Sequence, residues 1–537
     1  MGQNQNLANS RLAFTSGPVK KVARSRLQVS CFMRTVWILG DQLQENHPGL
    51  AQADRLTDRV LFIESRERSE QVRYHQLKLV LIFSAMRHRA EALRQQGWTV
   101  DYIELTGSFT EGLRDYVRQH RPQSILVQEP SQYHFRQSLP ALSRQIGVPL
   151  EVLPTNQFLI TESEFRDWAG ESKRLLMENH YRRVRRKLRI LIEPNGDPTG
   201  GSWNFDSANR QTYAAFSKSR TMIHPPPGES PDEITRQVIK GVKKDFPDHP
   251  GKADLFWLPV TRKQALNWLS NFVDQRLSHF GPWEDVMAQK EPVLFHSVLS
   301  PLLNIGLLTP KECVEAATAA YRSGAAPLAS VEGFVRQIIG WREFINGVYW
   351  LRMPGYDKLN ELNAHRELPA WFYTAETEMN CLRQVLEQVI ATGYNHHIQR
   401  LMVLGNFFLL AGIEPSLVLR WYTEMYVDAH DWVMAANVIG MILHADGGYM
   451  ATKPYAAGAG YIKKMSNYCA SCRYNPEQRV GPDACPFNYL YWNFYATHED
   501  RFAKNPRVGM MIKTWRNKPE AEKLEIRTQA DSFLNAL

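Results

Sequence analysis

Short apolar runs alternate with helical patterns in the N-terminal part of this chain, and this alternation constrains the fold more than any other feature of the sequence. Five runs predict buried strands, at residues 36–39, 60–63, 100–104, 124–128 and 152–153. Residues 78–95 have a helical period that ends before a glycine. Strands that alternate with helices favour a parallel, Rossmann-like α/β sheet. Such sheets bind ligands beyond the carboxyl ends of their strands, where residues 40–42 and Glu64 lie.

The pattern changes after residue 260 and stays helical to the end of the chain. Helical period is present at residues 263–280, 310–323, 330–350, 378–392, 396–411 and 415–427. Residues 195–231 are rich in Gly, Pro, Ser and Asn, and a Pro-Pro-Pro sequence at 225–227 excludes regular structure there. We therefore predict an α/β domain at residues 33–160, an interdomain connection at 161–260 and a large all-α domain at 261–537.

Charge and composition limit the class of partner. The formal net charge is +9, which suits a polyanion because Lys and Arg side chains near phosphates release counterions. No apolar run reaches the roughly 18 residues of a membrane span, so we expect a cytoplasmic protein that binds no membrane. We also expect the protein to be a monomer. Residues 1–32 are polar and basic and lack the apolar core of a signal peptide. We expect a disordered extension there, since the sequence from Met33 runs directly into the first strand.

Three of the six cysteines form the motif Cys469-x2-Cys472-x12-Cys485. Two thiolates spaced as in C-x-x-C can hold one metal centre, and a third follows after one loop. A tetrahedral site needs a fourth ligand, for which Cys381 is a candidate. The spacing alone leaves zinc, a [4Fe–4S] cluster and reduced structural cysteines as alternatives. Cys313 lies in an apolar helical pattern, and we interpret it as a small buried side chain.

Three segments of the helical part carry polar groups that could hold a cofactor. Ser297 and Ser300 lie at a predicted helix start, where hydroxyls and backbone N–H groups can bind phosphate. A Trp-Arg pair lies at 341–342 on a second helix, and the segment 431–437 ends in Asn437, whose amide could face a redox-active ring. Each segment is weak evidence by itself, because tryptophans on helices are usually core residues.

A dense basic cluster, Arg-Arg-Val-Arg-Arg-Lys, lies at residues 182–187 on a predicted helix. Two interpretations are open. The cluster is either a solvated helix face, or a set of side chains, among them Arg182 and Arg183, that contact phosphate groups. The second interpretation needs a polyanionic partner, so it gains weight only where other motifs indicate a nucleic acid.

The motifs of the helical part, taken together and in this order, resemble the photolyase/cryptochrome superfamily. Residues 297–301 are similar to its flavin-phosphate segment, and residues 338–343 are similar to its flavin and lesion helix. Gly340 interrupts the usual spacing of that second motif. Residues 431–437 are similar to the segment at the flavin ring, with Asn437 opposite flavin N5.

Further motifs are similar to a narrower group, the iron–sulfur bacterial cryptochromes and photolyases, which are the prokaryotic (6-4) photolyases. These motifs lie at residues 82–88, 396–402 and 453–455 and in the three-cysteine motif. The resemblance extends from about Met33 to the end of the chain. It implies a photolyase/cryptochrome fold, in which an N-terminal domain binds a 6,7-dimethyl-8-ribityllumazine antenna and a helical domain binds FAD and a [4Fe–4S] cluster.

The resemblance implies a set of residues for each cofactor. The cluster ligands would be Cys381, Cys469, Cys472 and Cys485. The FAD site would include Ser297, Leu299, Ser300, Gln337, Arg342, Arg400, Asp431 and Asn437. The antenna site would include Gly40, Asp41, Gln42, Glu64, His75 and Lys78. Some members of the family depend on a divalent cation such as Mg²⁺, and Asp285 corresponds to an acidic position connected with that dependence.

The resemblance also implies a mechanism, the light-driven repair of a (6-4) photoproduct in damaged DNA. Excited, reduced FAD would donate an electron to a lesion that has flipped out of the duplex. His396 and His397 would transfer a proton to the lesion, with His397 as the acid. Trp341 and Tyr455 would line the lesion pocket. The cluster would have a structural role and would not be the catalytic redox centre.

Photoreduction needs a chain of oxidisable aromatic residues from FAD to the surface, and here the sequence departs from the superfamily. The usual proximal Trp is replaced by Met441. The subfamily uses a Trp-Tyr pair, present as Trp421 and Tyr422, and its outer Trp is replaced by Tyr373, two residues after Trp371. A tyrosine can serve as the outer donor, but an oxidised tyrosine must lose a proton.

Two other functions remain as alternatives. The same fold serves blue-light photoreceptors, against which the His-His pair and the basic cluster argue. A zinc-stabilised nucleic-acid-binding module without light chemistry would be colourless, whereas a protein with flavin and iron would be yellow-brown. The preference for a (6-4) product over a cyclobutane dimer rests on the family resemblance and the two histidines.

Overall fold

The N-terminal part of the molecule is built on a five-stranded parallel sheet with the strand order β3-β2-β1-β4-β5. Its strands are β1 (Arg34–Trp37), β2 (Arg59–Ser65), β3 (Thr99–Thr106), β4 (Ser124–Gln128) and β5 (Leu150–Leu153). This is the order of a doubly wound sheet, as the alternation of strands and helices predicts. The computed structural model describes residues 33–172 and 174–537, so the extension predicted at residues 1–32 lies outside the described residues.

Alternate side chains of the central strands enter two separate apolar clusters. The helices of this part are α1 (Pro48–Gln52), α2 (Arg66–Glu70), α3 (Gln76–Gln95), α4 (Phe109–His120) and α5 (Tyr133–Ile146). Val36 and Val60 share a cluster with side chains of α3. Trp37 and Leu61 share the other cluster with side chains of α4 and α5. Both faces of the sheet are thus covered, which leaves its carboxyl edge as the place for a ligand.

The segment between the two predicted domains contains helices that pack on both of them. These helices are α6 (Glu162–Glu171), α7 (Met177–Leu188), α8 (Tyr213–Ser219) and α9 (Glu233–Asp245). Helix α9 packs against α3, and residues 33–537 form one compact unit. Residues 225–227 are irregular, as their three prolines predict.

The rest of the described chain is helical. Its α-helices are α10 (Arg262–Gln275), α11 (Leu277–Trp283), α12 (Ser300–Asn304), α13 (Pro310–Arg322), α14 (Leu328–Val335), α15 (Glu343–Arg352), α16 (Asn380–Thr392), α17 (Asn406–Ala411), α18 (Pro415–Met425), α19 (Asp431–Ala435), α20 (Ala459–Met465), α21 (Pro486–Thr497), α22 (Glu499–Phe502), α23 (Gly509–Arg516) and α24 (Glu520–Asn535). Three π-helical segments interrupt them, at Arg336–Arg342, Gln399–Gly405 and Ala436–Ile442. Among the described residues, no helix combines the length and the apolar character that crossing a membrane requires.

Candidate functional site

The three π-helical segments carry polar side chains that the sequence predicts at the flavin site. The first segment contains Gln337 and Arg342, the second contains Arg400 and the third contains Asn437. A π turn shifts side chains out of the normal helical register, and such turns are frequent at functional sites. Their coincidence with three independent motifs indicates that these helices are shaped around a ligand.

Asp428 is the centre of a buried hydrogen-bond network, called here the carboxylate network. The guanidinium group of Arg400 donates to the two carboxylate oxygens of Asp428, at 2.9 and 3.0 Å. The Ser300 hydroxyl donates to the same carboxylate at 2.6 Å, and the Asn304 amide donates to the Asp428 carbonyl at 2.8 Å. Because a buried ion pair is stable only when it is hydrogen-bonded in this way, the network fixes α12, the second π segment and the loop after α18 relative to one another.

Two imidazole rings stack beside this network. The ring centroids of His296 and His396 are 4.3 Å apart, and the ring planes are inclined by 10°. His296 Nε2 lies 3.1 Å from the Glu284 carbonyl oxygen, whereas the two ring nitrogens of His396 are buried without a hydrogen-bond partner among the described residues. Burial, with the neighbouring imidazoles of His296 and His397, lowers the pKa of His396 well below its usual value. Buried nitrogens of this kind indicate a place for a polar ligand.

His397, the next residue, is exposed to solvent. Its pKa is lowered by partial burial and by the Arg400 and Arg210 guanidinium groups, so the ring is neutral at pH 7. Arg210 also donates to the Glu284 carboxylate at 3.1 Å, and its charge partly offsets the rise that burial causes in the pKa of the Tyr455 phenol. The Arg210 guanidinium group therefore lies near both His397, the predicted proton donor, and Tyr455, a predicted residue of the lesion pocket.

A second cavity lies between the carboxyl edge of the sheet and the helical part. Its lining includes Gly40, Asp41, Glu64 and Lys78. The strand order reverses between β1 and β4 at this edge, which is where open α/β sheets bind ligands. Lys78 donates to the carbonyl of Ala429 in the helical part, and burial lowers the pKa of Lys78 to about 7. Both parts of the chain thus contribute to this interdomain cavity.

Four cysteines from separate segments line one small cavity: Cys381, Cys469, Cys472 and Cys485. The amide of Asn380 donates to the Tyr468 carbonyl at 2.8 Å and holds the start of α16 against the C-x-x-C turn. Burial raises the pKa of Cys469 to about 11 and that of Cys485 to about 12. Across residues 33–172 and 174–537, no group of three or more His, Cys, Asp or Glu side chains has the geometry of a site for a metal ion.

One curated relative matches this chain along nearly its whole length. The chain is 43% identical to the (6-4) photolyase of Agrobacterium fabrum (strain C58) over 509 residues, which is 94% of this chain and 99% of that protein. The chain belongs to the (6-4) photolyase family. Residues 36–258 also match the family model described as deoxyribodipyrimidine photo-lyase-related protein. The prediction that the chain is a DNA photolyase, a light-driven DNA-repair enzyme, is therefore confirmed.

Two solved structures share the architecture. A bacterial class III photolyase from Agrobacterium tumefaciens superimposes with a TM-score of 0.53 at 16% identity, covering 93% of this chain and 89% of that chain. The Synechocystis sp. PCC6803 cryptochrome superimposes with a TM-score of 0.50 at 12% identity, covering 90% and 88%. At such identities the likeness establishes the fold alone, and the predicted photolyase/cryptochrome fold is confirmed.

The other predicted flavin residues lie in two places. Asn437 is partly buried, and its amide donates to a backbone carbonyl one turn earlier at 2.8 Å. Ser297 Oγ accepts a hydrogen bond from the Leu299 N–H at 3.4 Å and shapes the turn before α12. Asp431 instead lines the interdomain cavity, where Gln132 donates to its carboxylate. Asp431 is thus grouped with the antenna residues, because α19 begins at the boundary between the two parts.

Two residues of the first π segment donate hydrogen bonds to backbone carbonyls of the protein. Arg342 is buried and donates to the Gln157 carbonyl at 3.0 Å, and its guanidinium carbon lies 4.2 Å from the centre of the Phe158 ring. Gln337 donates to the Gly333 carbonyl at 3.3 Å. Arg342 therefore fastens the segment after β5 to the helical part rather than presenting a free cation.

Two predicted antenna residues do not line the interdomain cavity. The buried amide of Gln42 donates to the carbonyls of Gln128 and Glu129, at 3.2 and 3.1 Å. His75 caps α3, where its Nδ1 accepts a hydrogen bond from the Leu77 N–H at 3.2 Å. These contacts engage the Gln42 side chain within the α/β part, whereas His75 Nε2 lies 3.0 Å from the Ile390 carbonyl oxygen in the helical part.

Several cavity residues were not indicated by the motifs. The lining also includes Arg68, Tyr74, Ser131, Gln132 and His430. Ser131 and Gln132 follow β4, so the rule that ligands lie beyond strand ends was a signal for them. The carboxylate of Glu64, although it lines the cavity, is held by Arg87 at 2.9 Å and Tyr102 at 2.6 Å.

Only part of the basic cluster at 182–187 faces solvent. Arg185 is fully buried and donates to the carbonyls of Ile190, Leu191 and Trp203, at 3.2, 2.5 and 3.0 Å. Arg182 pairs with Glu178 at 2.8 Å, and Arg183 is partly buried. Arg185 is therefore not available to a phosphate group, since its guanidinium group holds the loop that follows α7.

Aromatic side chains lead from the carboxylate network towards the surface. Tyr426 and Tyr422 stack with 5.4 Å between ring centroids, and Tyr422 lies 5.3 Å from Trp421. Trp421 lies 5.6 Å from Phe372, and the next residue, Tyr373, is partly exposed. Ring contacts thus run from Tyr426 through Tyr422 and Trp421 to Phe372, and Tyr373, the predicted outer residue, follows Phe372 in the chain.

Proposed function

We propose that this photolyase repairs the (6-4) pyrimidine photoproduct in DNA in a light-driven reaction. One observation carries the proposal: His396 and His397 adjoin the carboxylate network, where the ring nitrogens of His396 have no hydrogen-bond partner among the described residues and His397 is exposed to solvent. A lesion bound at His397 would meet a proton donor and a polar cofactor site together. The name of the full-length A. fabrum relative, a (6-4) photolyase, supports the same lesion.

FAD is the cofactor that membership of the photolyase family implies, and the donor set fits it. The Ser300 hydroxyl and the Arg400 guanidinium group would hold its polar groups at the carboxylate network. The unpartnered nitrogens of His396 and the amide of Asn437 would face its ring. When bound, FAD supplies the photoexcited electron on which repair depends. The surrounding apolar helices exclude water from these groups.

In the proposed reaction, the chain positions the lesion and supplies a proton. The flipped lesion would lie against Trp341 and Tyr455, both partly buried aromatic residues. His397 would take up a proton when DNA phosphates and the reduced cofactor bring negative charge near it, and would donate that proton to the lesion. His396, held by stacking on His296, would fix the position of the His397 backbone.

We propose a [4Fe–4S] cluster in the cavity of the four cysteines. A single zinc ion with Zn–S bonds of about 2.3 Å would hold its thiolates about 4 Å apart. A cluster of four irons needs four thiolates around one cavity, and these four cysteines line such a cavity. The cluster would join α16 to α21, so we assign it a structural role.

We further propose that the interdomain cavity holds the 6,7-dimethyl-8-ribityllumazine antenna. Asp41 and Asp431 offer carboxylates to its hydroxyl groups, and Lys78 offers an N–H donor.

Dependence on Mg²⁺ through Asp285 remains a prediction. The Tyr461 hydroxyl lies 3.5 Å from the Asp285 carboxylate, and the Arg210 guanidinium group already supplies positive charge beside it. We expect the protein to act as a monomer on damaged DNA in the cytoplasm, at the nucleoid.

The experiment that tests the proposed function uses purified protein that carries flavin and has been reduced in the dark. It is mixed with an oligonucleotide that contains one (6-4) lesion and kept in blue light or in darkness. We expect light-dependent recovery of normal thymines, and His397→Ala should reduce the rate by about 10²-fold or more. An oligonucleotide with a cyclobutane dimer is the control for lesion choice. No recovery would overturn the proposal and favour a blue-light photoreceptor.

A further inference from the structure

The aromatic path ends at a tyrosine that is hydrogen-bonded to a carboxylate. The Tyr373 hydroxyl donates to Glu424 Oε2 at 2.6 Å. The Glu424 side chain is only 2% exposed, whereas Tyr373 is partly exposed. A buried carboxylate needs partners, and the phenol is one of them. The pair therefore connects the outer end of the path to a base inside the protein.

Glu424 also lies close to the inner part of the path. Trp421 and Glu424 are three residues apart on α18, so their side chains are neighbours on one helix face. The indole N–H of Trp421 donates to the Phe372 carbonyl at 3.3 Å, one residue before Tyr373. The two oxidisable rings and the carboxylate are thus held together by α18 and a single turn at Phe372.

Further charged and titratable groups surround the pair. Arg420 Nε lies 3.7 Å from Glu424 Oε1, and the Arg73 guanidinium carbon lies 5.5 Å from the centre of the Tyr373 ring. His249 is near enough for the charge of Glu424 to raise the pKa of its ring, although burial makes the net shift downward. Burial, with the adjacent carboxylate, raises the pKa of the Tyr373 phenol. The phenol therefore keeps its proton at neutral pH until it is oxidised.

We propose that Glu424 accepts the phenolic proton when Tyr373 gives up an electron at the outer end of the path. Trp421, after losing an electron towards the flavin site, takes one electron from Tyr373. The O–H bond of Tyr373 breaks and its proton passes to Glu424 Oε2, which leaves a neutral tyrosyl radical and a neutral carboxylic acid. A one-electron reductant in solution, such as a thiol, then returns the electron, and Glu424 returns the proton.

This step rests on the proposed function, because it assumes that Trp421 supplies electrons to a bound flavin. The step also explains how a tyrosine can serve at the outer position, where an oxidised phenol must lose its proton. An oxidised phenol is a strong acid, and with a base at 2.6 Å it loses its proton at once. The electron cannot then return from the flavin site until the proton returns as well, so the separated charges persist long enough for reduction from solution.

The test compares three variants by flash spectroscopy and by the yield of photoreduction in the presence of a thiol. Glu424→Gln keeps an acceptor for the hydrogen bond but cannot take the proton, so the tyrosyl radical should vanish and the yield should fall by about tenfold or more. Tyr373→Trp should photoreduce without a base, because an indole radical cation can persist while protonated. The double variant Tyr373→Trp with Glu424→Gln should therefore equal Tyr373→Trp alone.

Two outcomes would overturn the proposal. One is a Glu424→Gln variant with the wild-type yield and the same tyrosyl radical. The other is a double variant as defective as Glu424→Gln, since the carboxylate would then act through the structure alone. Trp371→Phe is the matched control: Trp371 stacks on Phe372 at 4.2 Å, and its loss should leave the radical and the yield unchanged.

A separate measurement distinguishes failure of this inference from failure of the proposed function. Repair of a (6-4) lesion by wild-type protein that was reduced chemically in the dark needs no electron from Tyr373. If that protein does not repair the lesion, the proposed function fails, while the radical measurements still decide the role of Glu424. If it repairs the lesion and Glu424→Gln photoreduces normally, only the inference about Glu424 fails.

Discussion

Asp428 compensates a buried guanidinium group, and its removal tests the carboxylate network. Asp428→Asn should lower the free energy of unfolding by about 3 kcal/mol, because the charge of Arg400 would remain buried without its counter-ion. Urea denaturation followed by circular dichroism measures this loss. Asp254→Asn is the control, since Asp254 and its partner Lys243 are exposed and should contribute less than about 1 kcal/mol. Equal losses in the two variants would contradict the argument.

His397 titrates in the field of two arginines, which predicts a pH effect. Arg400 and Arg210, together with partial burial, lower the pKa of His397. Arg210→Gln removes one cation, so the pKa of His397 should rise and the ring should stay protonated to higher pH. The alkaline limb of the pH profile of repair should shift towards higher pH. Arg210→Lys keeps the charge and should keep the profile; an unshifted profile for Arg210→Gln would argue against His397 as the acid.

At the scale of elements, the cysteine cavity joins the start of α16 to the start of α21. Cys381→Ser should lower the iron content, and should lower the thermal midpoint by several degrees, because the proposed cluster would no longer cross-link these helices. Iron analysis and calorimetry measure the two effects. Cys313→Ser is the control, since Cys313 is buried in α13 outside the cavity. Loss of repair from iron-free protein that stays fully stable would instead assign the cluster to catalysis.

At the scale of the whole molecule, the net charge of +9 should appear in DNA binding. Arg183→Ala should weaken binding to any sequence and reduce the slope of log K against log salt by about 0.9, the value for one lost phosphate contact. Fluorescence anisotropy at several salt concentrations measures the slope. Arg185→Ala should act differently: it should destabilise the fold, because the Arg185 side chain satisfies buried carbonyls. An unchanged slope for Arg183→Ala would remove α7 from the DNA interface.

The periodic patterns predicted the elements closely. The helix predicted at residues 78–95 is α3, Gln76–Gln95, and the pattern at 415–427 is α18, Pro415–Met425. These predictions succeed because a helix or strand buries one face, and the apolar residues of that face recur at a fixed spacing along a short stretch of sequence. The π segments were not predicted, since an extra residue in a helical turn leaves the apolar spacing almost unchanged.

The candidate site was predicted only where a motif contains the functional residue. Arg400 and Ser300 were found this way, but their common partner Asp428 was not, because Asp428 stands outside the motif that begins at Asp431. Gln42 was assigned to the antenna by the family resemblance, yet its side chain donates to backbone carbonyls inside the α/β part. Proximity along the chain does not indicate the direction of a side chain.

The sequence by itself determined the α/β and helical parts and the family, since these depend on apolar periods at short spacings and on motifs in a fixed order. The cysteine ligand set and the roles of the two histidines stay predictions that the family resemblance implies. Only the tertiary structure decided that His296 stacks on His396, that Glu424 accepts a hydrogen bond from Tyr373 and that Arg185 is buried. These contacts join residues that are distant in the chain or depend on which face of a helix is covered. They follow from how the helices pack, and packing is a property of the whole folded molecule.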